Sequence, residues 1–460
     1  MELPFLHALE SWAEGTRKAY GFTFSAFVLI PAYVLAVFVM YLFAPDVIVS
    51  GFRLTLFFAP LWMPYIVWRF SWIRWIQYRQ AMFMAHDLQK PVLLELRLPR
   101  DTRKSPLAME AVLAGIHFAP GINTWYKRYW LGRVKPWWSF EIVSVEGKLH
   151  FYIWVWDRIR RQVESSFYAQ YPGIQLVEVP DYTLGVAVTD PVQDIWGCEY
   201  QHTKPDPYPI KSYVDYGLDQ PRLKAEEQID PMAQVLEFLG SLGPGEQVWL
   251  HFVIQMTKGD KYKGKKNKKG GKYTWKDEGH EIVQQIREEV TSEVEYVDPV
   301  TKVVRKSRGF PNPTKGQVDI MAAIERNIGK VAFDIGIRCL YITAPGKHKS
   351  AMHGMLTSTM FRPFSSEQFN GLEAAGRWSE EFYDYPWEDP GFFRTRRKMT
   401  ELLEAARRRS YFNEPFKMPW MTMSVEEIAT LFHIPSSAVA TPSLSRIQST
   451  TTSAPSHLPQ

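Results

Sequence analysis

The sequence predicts an α+β chain in which a transmembrane helical hairpin precedes two small sheet domains. Three observations carry that expectation: an uncharged run near the N-terminus, a change to strand periodicity after Pro91, and a strand, helix, strand, strand, helix, strand order beyond it.

With 460 residues and 46% hydrophobic content the chain can build two or three apolar cores, which excludes a disordered protein. Aromatic residues make up 15%, and many of the 17 tryptophans cluster near the N-terminus, where their rings suit a lipid–water boundary. From Ala19 to Pro45 no residue is charged, and GFTFSAFVLIPAYVLAVFVMYLFA within that run exceeds the roughly 20 residues needed to cross hydrocarbon. A second apolar stretch runs from Arg53 to Arg69, with Trp62, Trp68, Arg69, Trp72 and Trp75 as expected interfacial anchors. A signal peptide fits less well, because no small-residue cleavage pattern follows Phe43. Only PDVIVSG separates the two expected spans, whereas Arg69, Arg74, Arg79 and Lys90 follow the second. The positive-inside tendency then places the bulk of the chain in the cytoplasm. Residues 1–20 read as an amphipathic segment on the same surface and 21–80 as the two spans with their extension.

After Pro91 the pattern VLLELRL reads as a strand. SPLAMEAVLAGIHF follows, with Ser105 as N-cap, Pro106 at the first helical position, and Met109, Val112, Leu113 and Ile116 on one face. WWSFEIVSVEGKLHFYIWVW is a hairpin turning at Glu146-Gly147, Asp157 opens a helix, and GIQLVEVPDY closes a ferredoxin-like βαββαβ unit over 91–184. Residues 185–365 read as a second, embellished copy, with WGCEYQHT and PIKSYV as opening strands and a Lys-rich insertion at 257–277. Residues 366–434 are expected to form a helical and extended docking region, and 435–460, rich in Ser, Thr, Ala and Pro, a disordered linker-like tail.

Catalytic motifs are near misses. GKKNKKGGKYT lacks a glycine five positions before Gly271 and offers Tyr273 where a phosphate loop needs Ser or Thr, and APGKHKS has His348 after Gly346-Lys347. His280-Glu281 has no second histidine four residues on, His348 and His353 are five apart, and no GxSxG occurs. No catalytic residue, cofactor or metal ligand is assigned. Cys198 and Cys339 read as core thiols. The net charge of +5 is concentrated locally, above all in TKGDKYKGKKNKKGGKYTWK. Its lysines, Lys258, Lys261, Lys263, Lys265, Lys266, Lys268, Lys269, Lys272 and Lys276, suit phosphate in nucleic acid, anionic lipid or an acidic partner, with Tyr262, Tyr273 and Trp275 for stacking. A solvated hairpin tip is the alternative. The helix carrying Arg394, Arg396, Arg397, Lys398 and Arg407 to Arg409 has the same two readings, with Glu388, Asp389, Glu401 and Glu404 available to neutralise it.

The segments LELRLPRDTRKSPLAMEAVLAGIH, SFEIVSVEGKLHFYIWV, FYAQYPGIQLVEVPDY, FDIGIRCLYI, FRPFSSEQFNGL, EEIATLFHIP and ATPSLSRIQ carry a resemblance. Over residues 85–450 the chain resembles the N-terminal, motor-less region of membrane-anchored, conjugative type IV secretion-like ATPases of candidate-phyla bacteria, which bears a domain of unknown function. The resemblance implies that EEIATLFHIP and the Thr-Pro segment lead towards a motor, with Ile428, Leu431 and Phe432 as its docking face. The resulting expectation is an oligomeric, non-catalytic scaffold at the bacterial inner membrane that positions a separate ATPase or its DNA or protein cargo. The alternative is a tethered binder of nucleic acid or anionic lipid acting through the Lys-rich loop.

Overall fold

The structure, a computed structural model, describes residues 26–84, 90–99, 104–118, 124–187, 195–220, 229–297 apart from 258, 263, 268 and 269, 304–375, 389–435 and 446–447. Among the described residues three helices come first: α1 (Ala26–Phe43), α2 (Pro45–Phe57) and α3 (Ala59–Met84). This corrects the expected transmembrane hairpin. Among the described residues no single helix is long and apolar enough to cross a membrane, and the one pair that passes together, Pro45–Phe57 with Ala59–Trp68, is bent by 62°. The reason lies in PDVIVSG, expected as a loop. Pro45 suits a first helical position and Asp46 complements the N-terminal end of the dipole, so the segment opens α2 instead. The expected amphipathic segment 1–20 lies outside the described residues.

The first half of the sheet domain comprises β1 (Pro91–Pro99), α4 (Pro106–Ile116), β2 (Trp137–Val145), β3 (Lys148–Trp156), α5 (Asp157–Gln170) and β4 (Gln175–Val179). In α4 the stripe Met109, Val112, Leu113 and Ile116 is fully buried, as a period near 3.6 requires of a helix lying on a sheet. The second half comprises β5 (Ile195–His202), α6 (Pro231–Gly240), β6 (Glu246–Met256), α7 (Trp275–Glu289), β7 (Thr291–Val297), β8 (Val304–Pro311), α8 (Lys315–Gly329), β9 (Ala332–Thr343), a helical segment from Ala351 to Thr359, and β10 (Leu372–Ala375). PIKSYV, expected as a strand, forms turns, held by Asp215 accepting from the Ser212 amide at 2.8 Å. The chain continues through α9 (Phe393–Arg407), β11 (Met421–Ser424), α10 (Val425–Leu431) and the two-residue β12 (Arg446–Ile447).

The two halves are not separate domains, which corrects the expected pair of ferredoxin-like units. Their strands form one sheet in the order β10-β5-β9-β6-β2-β3-β1, with β4 beyond β1 and β11 beside β9. Nine strands are joined by antiparallel pairs, and β12, drawn from the expected tail, adds a short parallel pairing to β1. The junction is β2 against β6, in register from Trp137↔Gln255 to Val145↔Gln247. Each half supplied an edge strand, and pairing the two edges removes both from solvent, satisfying a full row of backbone groups. The periodicity of each half is legible, but nothing local in it marks which strand is an edge or what pairs with it.

The C-terminal part of the chain covers this junction. On one face Phe140 of β2 lies opposite Phe252 of β6, and Phe432, just after α10, stacks on Phe140 at 4.9 Å and stands edge-on to Phe252 at 6.1 Å and to Phe151 at 5.9 Å. Every residue of α10 is buried. A smaller core under the insertion joins α7 and α8 through Tyr262, Tyr273, Trp275, Val283, Ile324 and Ile328. Replacing Phe432 by Ala leaves a void over the junction, with an expected loss of about 3–5 kcal/mol in chemical denaturation; a loss below about 1 kcal/mol would show that α10 does not hold the halves together.

Candidate functional site

The opposite face of the same junction carries charge. Cross-strand partners share a face of a sheet, and the register aligns six side chains in one row over six strands: Glu95, Tyr152, Glu141, His251, Arg338 and Glu199. Glu141, His251 and Arg338 are 0% exposed. A buried ion is costly unless paired and hydrogen-bonded, and the segment after α9 supplies the pairing. Arg409 donates from Nε to Glu141 Oε1 at 2.8 Å and from Nη2 to Glu141 Oε2 at 3.1 Å. It also reaches Asp181, from Nη1 at 2.5 Å and from Nη2 at 3.1 Å. Its backbone has φ +45° directly after the helix, the left-handed geometry that ends helices. A non-glycine residue in that geometry is held there by the four charge-assisted bonds of its side chain.

Tyr182 completes the centre. Its hydroxyl lies 2.7 Å from both Glu141 Oε2 and His251 Nε2. An ionised carboxylate can only accept, so the single hydroxyl proton goes to Glu141 and His251 must donate from Nε2. Burial lifts the Glu141 carboxyl, yet the Arg409 charge and the bonds from Arg409 and Tyr182 outweigh it and bring the group down to about 2. Burial lowers His251 to about 4, with Arg409 and Arg338 adding to the drop against the pull of Glu141. Near neutral pH the centre therefore holds an ionised Glu141 and a neutral His251.

Further along the row, Arg338 donates to Glu199 Oε1 from Nε at 3.0 Å and from Nη2 at 2.8 Å, and to the Ser410 carbonyl at 3.1 Å. Tyr411 covers the Arg338 guanidinium, whose carbon stands 5.3 Å from the ring centre. That approach needs Gly336: a Cβ there would sit 2.3 Å from the Tyr411 ring. Arg409 and Tyr411 thus close the row under protein. The arrangement binds the two halves and the segment after α9 into one ionic unit.

A second ionic cluster fixes α10. Glu426 accepts from Ser212 Oγ at 2.5 Å and pairs with Arg326 at 3.1 Å and Lys330 at 2.8 Å. Glu427 forms a capping box with Ser424 and also accepts from the Ile210 amide at 3.1 Å. His433 sits 3.0 Å from Asp230. Ile428, Leu431 and Phe432, expected as an exposed docking face, are consequently core residues. The docking role came with the resemblance, and the helix that carries them packs on the sheet instead.

The Lys-rich loop is also corrected in part. Tyr262, Tyr273 and Trp275 are buried in the smaller core, where Tyr262 donates to Glu278 and Tyr273 to Glu281 at 2.5 Å, so they are not stacking platforms for bases. Lys261 pairs with the buried carboxylate of Asp206. Lys266 and Lys272 face each other across a hairpin tip, and Lys265, Lys266, Lys272 and Lys276 are exposed. Lys258, Lys263, Lys268 and Lys269 lie outside the described residues. In the basic helix, Arg397 pairs with Glu401 at 2.8 Å and Arg407 with Glu404 at 2.9 Å, while Arg409, read with them as a surface charge, is fully buried. Of the expected interfacial anchors, Trp62 and Trp68 are exposed, Trp72 and Trp75 half-buried, and Arg69 lies in α3 between them.

A model of a domain of unknown function, DUF8128, matches residues 76–447, most of the chain. The chain belongs to the DUF8128 family. The DUF8128 region begins inside α3 and ends on the last residue of β12, so it contains the whole fused sheet with both ionic clusters, whereas α1, α2 and most of α3 precede it. No curated protein and no solved structure matches the chain. The DUF8128 match carries no activity, substrate or partner with it.

Arg409→Met leaves Glu141 buried without its counter-ion, with an expected loss of about 3–5 kcal/mol in denaturant titration, partly restored by Glu141→Gln in the same chain. The pH dependence follows from two depressed values. The unfolded chain binds protons that folded His251 and Glu141 refuse, so stability is full above about pH 6.5 and is lost stepwise, through His251 towards pH 4 and through Glu141 towards pH 2. His251→Gln should flatten the upper step in a pH series of melting temperatures while leaving the lower one.

Proposed function

We propose that the chain is a non-catalytic scaffold at a membrane surface, holding its sheet domain on the cytoplasmic face. The observation that supports it best is the outer surface of the leading helices. Leu35, Phe38, Phe43, Phe52, Phe57 and Leu61 are each more than half exposed, and α2 has no buried residue. Soluble proteins rarely expose contiguous apolar patches beyond a few hundred Å². A bent helix pair with this surface suits insertion into the apolar phase of a bilayer without a straight span. The sheet domain is suited to a positioning role because its densest charge is closed on itself.

On this reading the partner is a separate secretion-type ATPase, or its DNA or protein cargo, handled by an oligomer at the inner membrane. That part rests on the resemblance of the quoted segments alone, and the docking face it requires lies elsewhere than on Ile428, Leu431 and Phe432. Alkaline carbonate extraction of membranes from expressing cells tests the attachment: the chain should stay in the pellet, and recovery in the supernatant would remove the membrane from the proposal. Affinity purification from a detergent extract, with identification by mass spectrometry, tests the partner: an enriched protein bearing a phosphate-loop motif is expected, and failure to recover any such protein would count against the motor.

A further inference from the structure

Where α3 leaves the apolar helices, a second element folds onto it. Residues 125–133, in the connection from α4 to β2, pack along its outer half. Trp72 is stacked against Trp68 at 5.3 Å and Trp125 at 6.2 Å, Tyr129 lies 5.6 Å from Trp72, and Trp75 meets Trp130 at 5.4 Å. The seat is built through backbone as well. Trp75 Nε1 donates to the Tyr129 carbonyl at 3.2 Å and Arg79 Nε to the Trp130 carbonyl at 2.5 Å, with the Arg79 guanidinium over the Trp75 ring. Gly132 has φ +66°, and a Cβ there would stand 2.2 Å from the Arg79 carbonyl oxygen, so the close approach needs glycine twice over.

The inner rings of this collar are covered and its rim is not: Trp68, Trp125, Tyr126 and Trp130 are 64%, 62%, 55% and 49% exposed. Within the two segments that form it the charge has one sign. Helix α3 holds three arginines and no acidic residue, and 124–136 holds Lys127, Arg128, Arg133 and Lys135, again with no acid. Arg74 and Arg133 are exposed at the surface. Exposed indole rings beside the exposed Arg74 and Arg133 match a boundary that is apolar beneath and negatively charged above.

From this geometry we infer that the collar formed by α3 and residues 125–133 binds the headgroup layer of anionic phospholipid. The occupant is a bilayer and not a nucleic acid because the collar is continuous in sequence with the exposed apolar helices, which a nucleic acid would leave uncovered. The inference rests on the membrane reading above and adds to it the lipid class and the contact residues. Tight seating of the collar also explains how a lipid contact would be passed to the sheet, since 125–133 leads within a few residues into β2, the strand at the junction.

The test is flotation of the full-length chain with vesicles of phosphatidylcholine alone and of phosphatidylcholine with phosphatidylglycerol, comparing wild type with an Arg74→Ser, Lys127→Ser, Arg133→Ser variant. A Lys265→Ser, Lys266→Ser, Lys272→Ser variant controls for equal loss of charge at the hairpin tip. At about fivefold per cation the collar variant should lose on the order of a hundredfold affinity for the anionic vesicles, with little change on neutral ones and little change in the control. Equal binding of wild type to both vesicle types overturns the inference while leaving membrane attachment standing. Binding to neither overturns both. Loss in the hairpin-tip variant instead assigns the lipid contact to the Lys-rich loop, and duplex DNA captured through the collar and not displaced by anionic vesicles assigns the surface to nucleic acid. If the collar variant misfolds, wild type decides alone: its anionic-vesicle affinity must fall steeply with added salt, and a flat response rejects the inference.

Discussion

The antiparallel pairing of β2 with β6 is the interaction on which the rest of the structure depends. It turns two four-strand arrangements into one sheet, and it is the only described strand pairing that links the first half to the second. A bare strand pairing of this kind is a weak join unless both of its faces are also packed. Here they are packed by opposite means, apolar on one face with Phe432 over Phe140 and Phe252, ionic on the other with Arg409 over Glu141. Both covering residues come from the same C-terminal stretch.

The two halves repeat one another. Each runs strand, helix, strand, strand, helix, strand, and in space each places its strands in the order fourth, first, third, second, so the halves mirror each other about the junction. The departures from that repeat lie in the second half, where α7, the β7–β8 ribbon and α8 are inserted between strands that in the first half are joined by the turn at Glu146-Gly147. The insertion has its own small core and is tied back at its base by Asp206, which accepts from Lys261 and from the Thr422 amide. A segment so anchored can carry exposed lysines at its tip without loosening the sheet.

Local order was legible in the sequence and long-range closure was not. Met109, Val112, Leu113 and Ile116 declared a helix with one apolar face because their spacing fixes a face, and the apolar run FYIWVW after the turn at Glu146-Gly147 declared a strand. Glu141, His251 and Arg338 gave no such signal: each is one of several polar residues in a largely apolar strand, and only the register across β2, β6 and β9 makes them neighbours. Arg409 was hidden by its company, since it ends a run of arginines whose other members face solvent or pair locally. The docking role of Ile428, Leu431 and Phe432 came from the resemblance, and nothing local in EEIATLFHIP shows that the sheet covers them. The membrane-hairpin expectation failed at Pro45, where a residue that reads as a loop signal also reads as a helix start.

That both faces of the junction are sealed by residues 409–432 has a consequence for synthesis. A chain emerging from the ribosome has made every strand of the first half, and then of the second, long before these residues appear. Until then Phe140 and Phe252 lack their cover, and Glu141 lacks its counter-ion. The contacts that seal the junction are therefore ones of long sequence separation, the kind that slow folding. From the end of β6 to Phe432 the chain must be made in full before the apolar face of the junction can close.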